Sequence, residues 1–184
     1  EMSEDTFLYR KLVPLYACDT AASCAVLAQL AENALGSSLL GGLAGPLRYD
    51  QFVTRSFSFN IAVIAETYVE VSFFGHPDAG GSLETLEDAF HAALHSILEN
   101  GLPQETFDRV ASRLAGQFDS VLKRDRAGYN RDLALGQLMS ATPVFTLEDQ
   151  LTAVEDVRLE DVNEFLKSLL VDGREVTRLV SAER

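Results

Sequence analysis

His91 and His95, in "FHAALH", stand four residues apart on one helical face, the separation that lets two imidazoles reach a single zinc ion. A metallopeptidase helix also needs a glutamate between them to take a proton from zinc-bound water, and here Ala92, Ala93 and Leu94 intervene. The pair therefore reads as two solvated or half-buried helix histidines, and no metal is assigned to the chain. His76 is a lone loop histidine with no partner nearby in sequence. The only cysteines, Cys18 and Cys24, are six residues apart and fall on different sides of one helix. That spacing suits neither a local disulfide nor a zinc knuckle, so both read as buried or half-buried thiols.

Other chemistry is equally sparse. There is no G-x-S-x-G elbow and no Cys/His/Asn arrangement for nucleophilic catalysis. "GGLAG" at 41–45 lacks the lysine and hydroxyl of a phosphate loop, and "AGGS" at 79–82 is explained as a turn. "KRDRAGYNR" at 123–131 is a basic island that reads as a solvated helix end, with an anion clamp as the other reading.

The elements that position these residues belong to one folded chain. Its 184 residues, 47% of them hydrophobic, suit a single domain spanning 1–184. A net charge of -13 repels phosphate backbones and anionic lipid, which argues against nucleic acid as a partner. Apolar runs such as "NIAVIA" at 60–65 are far shorter than the roughly 20 residues of a membrane span, so no transmembrane segment is expected. "EMSEDTFLYRK" has no signal-peptide pattern, which leaves the compartment open.

Residues 7–15 have strand character up to Pro14, and Asp19 is placed to cap a helix over 20–35. Residues 52–64 alternate with period two: Val53, Phe57, Phe59, Ile61 and Val63 face one way, Thr54, Ser56, Ser58 and Asn60 the other. "TYVEVSFFG" repeats the alternation and predicts an antiparallel partner strand. Ser82 caps a helix carrying Leu83, Leu86, Phe90, Ala93, Leu94, Ile97 and Leu98, and Pro103 opens another through Leu122. A helical stretch over 131–139, a short helix capped by Thr146, the amphipathic "LEDVNEFLKSLL" and a final strand "REVTRLVS" follow. The result is an α+β, two-layer fold, an antiparallel sheet with helices packed on one face. The Thr/Ser/Asn side must face water or a cavity.

Three stretches in this order, "PLYACDTAASCAVLAQLAENALGSSLLGGL", "ALHSILENGLPQETFDRVASRLAGQF" and "TAVEDVRLEDVNEFLKSLL", with a strand hairpin between the first two, resemble the second domain of the insulinase/pitrilysin zinc metallopeptidases. The similarity runs from about Tyr9 to Val180. It implies the C-terminal, non-zinc domain of a subunit, whose zinc motif H-x-x-E-H lies in a different domain and is absent from this sequence. "GSSLLGGL" resembles the family's turn and helix, with Leu39 where the family usually has arginine. In some members this domain supplies an arginine and, seven residues later, a tyrosine that hold substrate. Here Arg48 matches the first and Arg55 stands in place of the second.

A peptide can bind along a strand edge or polar sheet face, with rim guanidinium groups taking its carbonyls or carboxylates. Arg48 and Arg55 are accordingly the candidate substrate-binding residues, the other reading being surface arginines that anchor a loop. The resemblance implies two functions. One is a non-catalytic half of a zinc peptidase that walls a chamber and binds peptide substrate or a zinc-bearing domain or subunit. The other is an inactive scaffold subunit with an assembly role. On either, the chain holds no cofactor of its own, and zinc is expected in the partner.

Overall fold

Alternating apolar side chains on three strands form the surface on which the rest is built. The computed structural model describes residues 4–15, 18–38, 41–64, 67–140 and 142–181. Strands β1 (Thr6–Pro14), β2 (Thr54–Ile64), β3 (Tyr68–Pro77) and β4 (Arg174–Val180) form one sheet in the order β2-β3-β1-β4. All three pairings are antiparallel. Helices α1 (Ala21–Leu35), α2 (Leu83–Asn100), α3 (Gln104–Ser140), α4 (Leu147–Asp156) and α5 (Leu159–Ser168) complete the fold, with helices covering one face of the sheet. This is the α+β, one-sided architecture read from the sequence.

The core is aromatic where β1 and β3 meet α2. Phe73 lies 4.2 Å from Phe90, centroid to centroid, and Phe7 lies 5.5 Å from Phe73 and 5.4 Å from Phe90. Tilted and edge-on contacts of this kind add to the burial of large apolar area. Gly75, paired with Phe7 on one side and Phe57 on the other, leaves space for the Phe73 ring; a Cβ there would stand 2.5 Å from it. Lys11, beside this core, extends its ammonium to donate to the Leu169 carbonyl beyond the end of α5 at 3.0 Å. Gly101 ends α2 with φ 75°, a left-handed value glycine adopts without strain, and the next N–H, of Leu102, donates to Asn163 Oδ1 at 2.7 Å.

Several local expectations are corrected. The cap of α1 is Thr20, whose hydroxyl accepts from the Ser23 N–H, and not Asp19. Thr54 is buried because a bulge between Thr54 and Ser56 inserts a residue and turns Thr54 inward, where its hydroxyl donates to the His76 carbonyl at 2.8 Å. The basic island lies inside α3, which continues through it with a single break at Asp125 (φ -154°, ψ 61°). Asp125 Oδ1 then accepts from the Gly128 N–H and restarts the helix. Arg126 pairs with Glu148, Lys123 with Asp119 and Arg131 with Asp132, so most of the island's charge is offset by its neighbours.

Cys18 and Cys24 are joined as a disulfide, which overturns their reading as thiols. Cys18 lies in the loop ahead of α1, not on the helix, and the chain turns there so that the two Cα atoms come within 5.5 Å. The bond closes a six-residue separation around the first turn of α1. Loop-closure entropy for so short a loop is about 2 kcal/mol. Reduction, or Cys24→Ser with Cys18→Ser, is expected to lower unfolding free energy by about that amount, read as a lower denaturation midpoint at an unchanged slope.

Candidate functional site

The candidate arginines flank a sharp entry into β2. Residues Gly45–Asp50 form a single π-helical turn, started at Pro46 and anchored by the buried Leu47. Its register is set by the Gln51 N–H donating to the Pro46 carbonyl at 3.3 Å, five residues back. Tyr49 donates to the Ser38 carbonyl at 2.9 Å and ties the turn to the end of α1. Phe52 follows with φ 53°, a left-handed value costly for a bulky residue, and its ring is 65% exposed. The Val53 N–H donates to the Leu47 carbonyl at 2.9 Å, holding the strand entry against the turn.

Arg48 projects from this turn as an exposed side chain. Arg55, also exposed, reaches across to Glu4 ahead of β1, with Nη2 2.5 Å from Oε2. Glu4 Oε2 is in turn 3.8 Å from His76 Nδ1. His76 is not a partnerless loop histidine: it lies in β3, with Nδ1 3.0 Å from the Asp5 carbonyl, which can only accept. Leu39 falls outside the described residues. The remaining two histidines are structural. His91 packs edge-on against Tyr9 at 5.2 Å, and His95 stands 3.3 Å from Glu99 on the exposed side of α2. Among the described residues no group of three or more His, Cys, Asp or Glu is placed to hold a metal ion.

Two cavities, of about 570 and 830 Å³, adjoin the Cys18–Cys24 bridge and share Pro143 and Phe145 as a common wall. The smaller one contains Glu32, whose Oε2 accepts from the Ile61 N–H at 3.4 Å and so occupies the free edge of β2. Sequence reading missed this carboxylate, although Glu32 is the only charged residue in the fifteen of α1. Its pKa is raised by burial, an effect partly opposed by the Ile61 N–H, which favours the charged form. Two other shifts belong to structure. Burial, and then the charge of Glu175 and a hydrogen bond to it, raise the Tyr9 hydroxyl. The Thr146 N–H holds Asp149 low within the capping box of α4.

No protein-family model matches the sequence. No curated protein matches it either. Solved structures do. The chain superposes on the inactive peptidase domain of a protein assigned as a zinc protease from Bordetella parapertussis, with TM-score 0.73 and 17% identity over 98% of this chain and 97% of that one. The chain folds as an M16-type peptidase half-domain. A protein from Alicyclobacillus acidocaldarius assigned as an M16-like peptidase matches with TM-score 0.75 and 17% identity over 98% of this chain, and an insulinase-family protease assignment from Yersinia pestis with 0.69 and 16% over 95%. This chain spans 41% of the former and 39% of the latter. The half-domain fold places α1, the π-turn and the β2–β3 hairpin in the order the resemblance implied.

A carboxyl whose folded pKa lies above its unfolded one takes up protons on folding. Stability therefore falls as pH rises from about 4.3 through the raised value. Replacing Glu32 by glutamine removes this dependence. The unfolding free energy of Glu32→Gln minus that of the parent protein is expected to grow more positive between acid and neutral pH, checked by denaturant melts at a series of pH values.

Proposed function

We propose that this chain is the metal-free second half of an insulinase-type zinc peptidase, with residues 1–184 as one domain that walls a chamber and contacts peptide substrate or the zinc-bearing half. The observation that carries the reading is the near end-to-end match to an inactive peptidase domain, joined to a sequence without H-x-x-E-H. Peptide hydrolysis on zinc needs a metal-acidified water and a carboxylate to take its proton. Those groups are assigned to the partner half, and this chain supplies surface. Arg48, exposed on its turn, offers a guanidinium fork for a carbonyl or carboxylate; Arg55 does so only on leaving Glu4.

That ion pair also favours a second reading, an inactive scaffold subunit with an assembly role. A guanidinium already 2.5 Å from a carboxylate is a weaker substrate clamp than a free one.

The two readings separate in a reconstitution. Cleavage of an unstructured peptide library is measured for this chain, for the zinc-bearing half and for the mixture. The peptidase reading expects the chain alone to be inert and the mixture to exceed the zinc half alone, with chelator-sensitive cleavage. Arg48→Ala is then expected to lower kcat/KM about tenfold at unchanged stability, as loss of a positioning contact does. Cleavage by the chain alone overturns the assignment of chemistry to the partner; a mixture no more active than the zinc half favours the scaffold.

A further inference from the structure

The outer face of the sheet carries three guanidinium groups brought together only by pairing of the chain's two ends. In the β1–β4 ladder Leu8 faces Arg178, Arg10 faces Val176 and Leu12 faces Arg174. Phe7, Tyr9 and Val13 point into the core, so Leu8, Arg10 and Leu12 point outward, and their partners on β4 with them. Arg10 is thus diagonal to both Arg174 and Arg178, about 7–8 Å away in an antiparallel ladder, within joint reach of one ligand.

These arginines have no carboxylate partner, a state shared by other cations such as Arg48, Arg113 and Arg124 among the described residues; what sets them apart is that three gather on one sheet face. Arg55, Lys123, Arg126 and Arg131 each have a carboxylate partner, whereas among the described residues Arg10, Arg174 and Arg178 make no ion pair. The single outward carboxylate on the four strands is Glu70, diagonal to Arg10, and it makes no ion pair either. Three like charges gathered on one face of a chain with net charge -13 repel one another and are stabilised by an anionic partner.

The strand that bears two of them is also uncovered. β4 is an end strand with one neighbour, and Arg174 through Leu179 are all exposed, on both faces of the sheet. Its unpaired main-chain groups invite another strand. Val176, 66% exposed between Arg174 and Arg178, supplies an apolar contact on the same face. An extended segment spaces its carboxylates at the strand repeat, so that each meets one guanidinium fork while its main chain pairs with the open edge, which a compact polyphosphate does not do.

We propose that β4 with Arg10 is a docking surface for an acidic, extended segment of a partner polypeptide, patterned acidic-x-apolar-x-acidic against Arg174, Val176 and Arg178. This stands apart from whether a zinc-bearing half accompanies the chain, since it needs no catalysis to be read.

The test is fluorescence polarisation of two labelled nine-residue peptides, one centred on Glu-Thr-Val-Thr-Glu and one on Lys-Thr-Val-Thr-Lys. The glutamate peptide is expected to bind in preference, to weaken as salt rises, and to lose about tenfold or more in affinity to the Arg174→Glu, Arg178→Glu variant. Replacement of both by lysine retains part of the binding. If the double variant does not fold, Arg10→Glu on the neighbouring strand carries the same comparison. Equal binding of the two peptides, or binding unchanged by charge reversal, overturns the proposal. So does a self-associated state in sedimentation that the same reversal abolishes, because the occupant is then a second copy of this chain.

Discussion

Phe73 marks the contact on which the molecule depends. Its ring touches Phe90 of the helix layer at 4.2 Å, Phe7 of β1 at 5.5 Å and Phe57 of β2 at 5.5 Å, so one side chain joins three strands to one helix. Burial of apolar side chains, these aromatic rings among them, is the largest favourable contribution to folding a domain of this size has. It requires every second residue of β1, β2 and β3 to face the helices, and Gly75 exists in that pattern to give the Phe73 ring room. The helix layer then follows: α2 covers β1 and β3, and α1 runs beside β2.

A sheet packed on one side leaves its other side free. Ser56, Ser58 and Asn60 are exposed on β2, and Arg10, Arg174 and Arg178 gather on the β1–β4 side. At the β2 edge Glu32 already takes the Ile61 N–H, whereas β4 keeps its edge open. The fold thus separates its tasks. Stability resides between sheet and helices, and the outer face, the open edge and the π-turn that holds Arg48 are left exposed.

Periodicity made the strands, the Ser82 and Thr146 caps and the one-sided layering readable before any coordinates, because each depends on neighbours a few residues away. The order of motifs carried the M16-type half-domain fold as well, although no family model recognises the chain. What stayed hidden depended on geometry that spacing does not encode. The disulfide arose because Cys18 precedes the helix instead of lying on it. Thr54 turned inward because of a bulge, and the bent course of α3 needed Asp125 to leave helical geometry. The arginine cluster depends on pairing residues over 160 apart, as in Arg10 facing Val176, and no local pattern announces such a register.

The proposed function makes this chain a folded half-domain and assigns zinc chemistry to another half. Among the described residues His76 lies in β3, His91 packs against Tyr9, the exposed His95 stands beside Glu99 and the two cysteines are joined in a disulfide, and no group of three or more His, Cys, Asp or Glu is placed to hold a metal ion. Elemental analysis of the purified chain after dialysis against a mild chelator tests this directly. The account predicts no stoichiometric zinc; one zinc per chain that survives the chelator would contradict it.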